Sequence, residues 1–442
     1  MKYKLLLSVF LGLLSIQYSS GQSVVTLDEA IEEALANNHQ IKIQKSALQA
    51  TAIQADPSMV GLKPIITLNA GYELGWADAS IETLSLNPEA PPSEPLELSG
   101  WSNDITVAPE ISWLLLDGKA SRYRLDQLHV GTDLAQLQVQ QTIEQTVTEV
   151  TFAYLDLAQQ QQQLQITEQS LALGLDRLNR ARRDASYGTS GSLQELQIRV
   201  DVMADSAALR NQLLDYENRR RDLNQLIGRS PNSEFRVSED LVLQTNLQLN
   251  ELESEMSNDN IALQVQEQRL RLADLSIQTA QAANKPRLQA YGNVSYAYLQ
   301  NDANFLTANR TLGPNVGLRF SYPIADGGAR RIRQQVAVLE KEQRLLEQSD
   351  TQLQLQKELY NAYAQYRNGL EQLRIEETNL ELFERNLTNL ENRFRLGTAT
   401  PTEVRAAQLN LSAANNRITA YRFNVKRAEI QLYLLSGKIS EF

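Results

Sequence analysis

Two windows of the chain, residues 119–187 and 328–396, carry a sustained apolar repeat and hold no proline. In the first, Ile143, Val147, Val150, Tyr154, Leu157, Leu164, Leu171, Leu175 and Leu178 keep four- and three-residue steps, interrupted only at Gln161 and Glu168. A repeat of about 3.5 residues predicts a left-handed coiled-coil seam. The second window is less regular: Tyr366, Leu370, Leu373 and Leu380 lead through a phase step to Phe383, Leu387, Leu390 and Phe394. At ~1.5 Å per residue each window predicts a helix roughly 100 Å long, which needs partners along its whole length. Gln159–Gln163 is expected on a solvent-facing helix surface.

Four other segments alternate with period two. In 64–76, Ile66, Leu68, Ala70, Tyr72, Leu74 and Trp76 oppose Thr67, Asn69, Gly71, Glu73 and Gly75. In 101–113, Ile105, Val107, Pro109, Ile111 and Trp113 oppose Asp104, Thr106, Ala108, Glu110 and Ser112. In 288–298, Leu288, Ala290, Val294, Tyr296 and Tyr298 oppose Gln289, Asn293 and Ser295. In 315–324, Val316, Leu318, Phe320, Tyr322 and Ile324 oppose Asn315, Gly317, Arg319 and Ser321. Strands of about ten residues, apolar on one face, polar on the other and aromatic near the ends, match outer-membrane barrel strands. A half-buried strand of a soluble sandwich shows the same alternation. Export of the chain and the lack of a second apolar layer favour the membrane. On that assignment Leu68, Tyr72, Trp76, Val107, Trp113, Tyr296, Leu318 and Phe320 face lipid, while Glu73, Asp104, Glu110 and Arg319 line a pore. Four strands cannot close a barrel, so several chains must share one, and three would supply twelve strands. The connections 77–100 and 300–313 are expected as loops.

The chain reads as one unit written twice. Asp117-Gly118, Gly188 and Leu226-Ile227-Gly228 recur at Asp326-Gly327, Gly397 and Leu435-Ser436-Gly437, a constant 209 residues on. Asn38 and Lys63-Pro64 recur at Asn260 and Lys285-Pro286. Each copy predicts helix, strand, strand, very long helix, tight turn and helix. The first helix starts at a capping box, Thr26 with Glu29, and runs to Pro57; the corresponding one in the second copy spans 260–284. The expected division is a signal peptide at 1–21, a first repeat at 22–228, a polar connector at 229–259 and a second repeat at 260–442. The piece 241–249 alternates and is expected to add a little structure. The signal rests on Lys2 and Lys4, an apolar run over 5–16, and small residues Ser19 and Gly21.

Composition narrows the function. The chain has no cysteine and two histidines, so disulfides, thiolate sites and His-rich metal sites are not expected. A net charge of −11 argues against a nucleic-acid partner. No phosphate-binding loop, nucleophile elbow or HExxH is present, and neither an enzyme nor a cofactor is expected.

The Thr-Leu-Asp-Glu-Ala opening at 26–30, the Lys-Pro strand entries and the two Asp-Gly pairs form one pattern. So do Arg393-Phe394-Arg395-Leu396-Gly397-Thr398, Thr402-Glu403-Val404 and the closing Leu-x-Gly pairs. In this order and duplication the chain resembles the TolC-like outer-membrane efflux proteins over nearly all of its mature length. The resemblance implies a helix-dominated fold with transmembrane β: a long periplasmic α-barrel under a twelve-stranded barrel shared by a homotrimer in the outer membrane. It implies an exit duct of a tripartite pump or type I secretion system, passive and gated at its helical tips. Partners would be a periplasmic adaptor, an inner-membrane transporter and outer-membrane lipid. It places Glu403 at the closed aperture, with Glu195 as its counterpart; both also fit simple capping boxes after Ser192 and Thr400. Where a second acid is frequent in the family, this chain has Ala406. Arg393 and Arg395 could hold the tips closed by pairing with neighbouring helices, or be solvated charges. Gly188, Thr189, Gly397 and Thr398 become candidate adaptor contacts. An exported coiled-coil scaffold or adhesin is the alternative, and it predicts a protein soluble in plain buffer.

Overall fold

The computed structural model describes residues 24–81, 95–186, 192–303 and 307–439. The segment 1–21 and the turn residues Gly188 and Thr189 lie outside them. The elements are β1 (Val24–Val25), α1 (Leu27–Asn37), α2 (His39–Gln54), β2 (Ile65–Ile81), β3 (Leu96–Leu116), α3 (Ala120–Ser186) and α4 (Ser192–Ile227). They continue with β4 (Arg236–Val237), α5 (Leu249–Asp259), α6 (Ile261–Ala282), β5 (Arg287–Asn301), β6 (Ala308–Ser321), α7 (Ala329–Arg395) and α8 (Pro401–Leu435). The two long helices both run for 67 residues, as the proline-free windows predict. Two compact units share the chain. One takes Ser46–Gln136 and Val265–Ser349; the other takes residues up to Lys45, Leu137–Gln264 and everything from Asp350 on.

The first unit holds an antiparallel sheet in the order β2-β3-β5-β6. All four strands are longer than the alternation marks. β2 and β3 stay paired past the Trp76–Trp101 pair, through Asp78–Ser99 and Ser80–Glu97 on the tryptophans' face and Ala79–Leu98 on the other, so the two faces exchange character there. β6 starts at Ala308 and ends at Ser321, so Tyr322 and Ile324 fall outside it. The strands therefore reach well into the segments expected as loops. Each strand-to-helix turn is an aspartate cap followed by left-handed backbone. Asp117 Oδ2 accepts from the Ser121 amide (2.7 Å) and hydroxyl (2.6 Å), and Asp326 Oδ2 accepts from the Arg330 amide (2.9 Å). Gly118 has φ +67°, and a Cβ there would lie 2.2 Å from the Lys285 Cβ, so the Asp-Gly turn packs on the Lys-Pro strand entry.

In the second unit the seam folds back on itself. Leu178 and Ala181 of α3 pack on Ile198 and Val202 of α4, and Leu387 of α7 on Val404 and Ala407 of α8. Val147, Val150, Tyr154 and Leu157 enter a larger core with Ala30, Leu223, Ile227, Phe235, Phe423 and Ile430. Each such leucine or isoleucine contributes roughly 1.5–3 kcal/mol when fully buried. Leu175 departs from the seam and is exposed.

Three expectations need correction. Gln160 and Gln161 are buried, not solvent-facing. Gln161 Nε2 donates to the Val237 carbonyl (3.1 Å) and Glu239 (2.6 Å), answering the short parallel pair that β4 makes with β1. The first helix breaks at Asn38, whose Oδ1 accepts from the Gln40 amide (2.8 Å) and starts α2. The connector is not merely polar: α5 buries Leu252 and Met256 against Leu359, Tyr366, Leu432 and Leu435.

The residues before α5 form no strand, because side chains rather than a ladder satisfy their backbone. Glu429 accepts from the Gln244 amide (3.2 Å), Lys426 donates to the Val242 carbonyl (2.9 Å), and Tyr366 donates to the Gln244 carbonyl (2.7 Å). Asn260 repeats the Asn38 role, accepting from the Ala262 amide (2.9 Å) while its Nδ2 caps the Leu435 carbonyl (2.9 Å). The duplicated Leu-x-Gly closes each joint. A Cβ on Gly228 would meet Asn37 at 2.7 Å, and one on Gly437 would meet the Asp259 carbonyl at 2.6 Å.

Candidate functional site

On the inner strand β3 the apolar side is the bare one. Along β3, Trp101, Ile105, Val107, Ile111 and Trp113 are exposed, while Ser102, Asp104, Thr106, Glu110 and Ser112 between them are partly covered. On the flanking strands Leu68 is 69% and Val316 88% exposed, and Tyr72, Leu318 and Phe320 are as open. Tyr296 is half-buried, under the Arg310 guanidinium 5.4 Å from its ring. Aromatic residues bound the band. Trp76 and Trp101 meet edge to face at 5.3 Å, and the Tyr72 hydroxyl reaches Asn103 at 2.9 Å. Towards the helix end Trp113 donates its indole N–H to the Leu62 carbonyl at 3.1 Å. A soluble sandwich would bury this face and leave the other to water.

The polar face brings three of the four expected pore residues into ordered rows. Glu73 stands opposite Asp104, whose Oδ1 is buried without a partner among the described residues. Glu110 lies between Thr67 and Asn293. Arg319 pairs with Gln289 and sits 5.3 Å over the Tyr291 ring, further towards the helices.

The turn between α7 and α8 is built from its own residues. Gly397 has φ +73°, and Arg393 receives the Thr398 amide (2.9 Å) and hydroxyl (3.1 Å) on its carbonyl. The Arg393 guanidinium returns to the Thr398 carbonyl at 3.1 Å and braces its own turn. Thr400 and Glu403 form the full capping box: Glu403 Oε2 accepts from the Thr400 amide (2.6 Å) and hydroxyl (2.8 Å). Those donors hold the exposed Glu403 carboxyl below its ordinary value, with Arg393 adding to the effect. Glu195 ion-pairs with Arg182 at 3.5 Å. Arg395 is exposed and borders a cavity of about 230 Å³ together with Leu173, Arg177, Ile198, Phe394 and Val404.

The family model described as outer membrane efflux protein matches residues 30–229 and 252–438. The chain belongs to that family. Its fold is that of solved outer-membrane channels at low identity. OprN aligns with TM-score 0.75 and 18% identity, over 93% of this chain and 90% of that one. CmeC of Campylobacter jejuni aligns with TM-score 0.74 and 15% identity, over 93% and 86%. The open state of MtrE of Neisseria gonorrhoeae aligns with TM-score 0.70 and 16% identity, over 93% and 89%. No curated protein matches the sequence. The chain is thus an efflux protein of the outer membrane, from a family of channels.

In this efflux protein one group near the turn escapes a reading of the sequence. Arg405 on α8 grips Asp205 on α4 with both nitrogens, at 2.8 and 2.6 Å, and Asp201 lies 3.8 Å away. That pairing raises the arginine further above its ordinary value. Nearby, burial lowers Arg177, whose Nε and Nη2 are buried without a partner among the described residues. The acids at 201 and 205 share a helix face, which is a usable signal, but their cation lies 200 residues along the chain.

Proposed function

We propose that three copies of this efflux protein pool their sheets into one twelve-stranded barrel and form a passive exit duct. Such a duct would serve a tripartite pump or a type I secretion system. The observation that carries this is the open four-stranded sheet whose apolar face is bare and whose outer strands, β2 and β6, each keep one unpaired edge. In hydrocarbon each unpaired backbone group costs several kcal/mol, so edges of neighbouring copies must meet, and about eight strands is the smallest closed barrel. From Trp101 to Trp113 a strand rises roughly 40 Å at ~3.4 Å per residue. Tilted by ~40° it spans about 30 Å, the thickness of a hydrocarbon core. Leu68, Tyr72, Trp76, Val107, Trp113, Tyr296, Leu318 and Phe320 then face lipid, and Glu73, Asp104, Glu110 and Arg319 face the lumen.

The turns Gly397–Thr398 and, in the other repeat, Gly188 and Thr189 are the surfaces offered to a periplasmic adaptor, behind which an inner-membrane transporter supplies the energy. Glu403 would stand in a threefold ring at the aperture, with Glu195, Arg393 and Arg395 holding the turns around it. Its capping box leaves Oε1 without a protein partner among the described residues, so capping and cation attraction are compatible.

Mass measurement of the detergent-extracted protein tests the assembly. A trimer that survives unheated gel electrophoresis is expected, and a folded monomer in plain buffer overturns the reading. For the ring, Glu403→Ala should lower cation selectivity in single-channel recordings. Unchanged selectivity would leave Glu403 a helix cap alone.

A further inference from the structure

The polar face changes sign along the strands. Carboxylates stand in the rows further from the helices, Glu73 with Asp104 and then Glu110. Beyond the row of Ser112, Tyr291 and Gly317 come Arg319 beside Gln289, and then Arg287 beside Ser321. Two clefts open at this basic end. One, of about 340 Å³, is lined by Lys63, Ser112, Arg287, Gln289, Arg319 and Ser321. The next, of about 290 Å³, is lined by Arg124, Gln127, Ser276, Arg287, Arg330 and Arg333. Arg287 borders both, and no carboxylate lines either.

Some of these cations are already answered. Asp56 holds Lys63 at 2.8 Å, and Asp326 holds Arg330 at 3.0 Å with Arg333 at 3.7 Å. Arg124, Arg287 and Arg319 have no carboxylate within ion-pair distance among the described residues; Arg319 has only the Tyr291 ring. In a chain of net charge −11, three guanidinium groups without an ion-pair partner among the described residues border two small clefts and favour anions there. The donors around them, guanidinium forks with serine hydroxyls and glutamine amides, match the planar or tetrahedral oxygens of carboxylate and phosphate.

We infer that the helix-proximal end of the polar face is an anion-binding collar, which takes phosphate- or carboxylate-bearing solutes from the lumen. The inference rests on the reading of that face as the wall of a duct, and it assigns the duct small organic anions as a class of cargo. Because Arg287 and Arg319 lie on the polar face, the occupant comes from the pore solution and not from lipid headgroups.

The test is current through the purified full-length protein in planar bilayers of zwitterionic lipid, with inorganic tripolyphosphate as probe. Tripolyphosphate should reduce the current, the block should weaken steeply as KCl rises, and uncharged maltotriose should not reproduce it. Arg287→Gln with Arg319→Gln should raise the half-blocking concentration about tenfold or more, since each lost charge-assisted contact is a substantial one. Arg331→Gln, which lines neither cleft, should keep the block. No block of the unmodified protein overturns the collar, and so does equal relief by Arg331→Gln, which would mean diffuse surface charge. A block that disappears when phosphatidylglycerol is added to the bilayer assigns the site to headgroups and overturns the luminal occupant. Absence of any conductance would instead count against the duct. If the double variant fails to assemble, Arg287→Gln and Arg319→Gln are measured singly, and relief by neither overturns the collar.

Discussion

Arginine placed at two adjacent positions of β2 separates the two faces of the sheet. Leu68 pairs with Pro109 on the bare apolar face, and Asn69 pairs with Ala108 on the polar one. The middle of the band between Trp101 and Trp113 is Val107, opposite Ala70, so Leu68 lies roughly 7 Å along the strand from the midplane. At a tilt of ~40° that is about 5 Å of depth, a third of the way to the interface. A lipid-facing arginine costs roughly 2–4 kcal/mol at the midplane and about 0–1 near the interface. Leu68→Arg should therefore cost roughly 1.5–3 kcal/mol per chain, repeated in every copy of an assembly. Asn69→Arg projects into water and, away from any buried feature, should stay within about 0.5 kcal/mol. The readout is the amount of heat-resistant oligomer in outer-membrane fractions and the temperature at which it dissociates on a gel. Equal behaviour of the two variants, or greater damage from Asn69→Arg, would refute the face assignment and the barrel argument with it.

Three further substitutions probe the helices and turns. Gly327 and Gly437 both have positive φ, but only Gly437 has a neighbour where a Cβ would go. Gly327→Ala should cost about 1–2 kcal/mol for left-handed backbone, while Gly437→Ala should cost clearly more, and equal denaturation midpoints would dismiss the joint as a tight contact. Glu144 is buried in α3, which raises its carboxyl above the ordinary value of about 4.5 even though Gln140 donates to it. The folded state then binds the proton more tightly than the unfolded one, so its penalty is full above the raised value and fades as pH falls towards 4.5. Glu144→Gln should melt higher than the parent at pH 7.5 with the gap closing in acid; a gap independent of pH rules out the carboxylate as its cause. Arg405→Ala leaves the largely buried Asp205 without its cation and should cost about 2 kcal/mol. Arg405→Lys should fall between, because an ammonium cannot make the two-pronged contact; a lysine variant as stable as the parent would show that charge alone suffices.

What the sequence made legible was whatever repeats locally. Proline-free heptads define α3 and α7 nearly to the residue, an offset of 209 residues pairs the Asp-Gly caps and the closing glycines, and one of 222 pairs the Asn38 and Asn260 starts. Strand ends were illegible because pairing outlasts the hydropathy pattern: beyond Trp76 the tryptophans' face turns polar at Asp78 and Ser80 while Ala77 and Ala79 take the other, so the alternation loses its phase. The helix α5 did carry a signal, Leu249, Leu252 and Met256 at helical spacing, hidden in a run of acids and asparagines. Gln161 is different in kind. Its position in the seam looks like a fault until β4, 76 residues away, arrives with backbone groups that need an amide. The Arg405–Asp205 grip is non-local in the same way.

The same distinction decides how much of the site could be read in advance. Alternation states that a strand has two faces, and it is silent on which face the folded chain covers. A sandwich and a lipid-facing wall produce the same string of letters along β3. Accessibility breaks the tie, since Trp101, Ile105, Val107, Ile111 and Trp113 are the open positions and their polar neighbours the sheltered ones. Hydrophobic burial is the main favourable term in folding, so a chain that leaves its best apolar face bare in water forgoes stability it could have had. Bare apolar strands with free edges are moreover an aggregation hazard for a soluble protein. Both liabilities vanish if the solvent on that side is hydrocarbon and the edges meet those of further copies. Register then supplies what alternation lacks on the polar side: Arg287 and Arg319 are unremarkable as letters 32 residues apart, and become one charged collar only when β5 and β6 pair with Arg287 against Ser321 and Gln289 against Arg319.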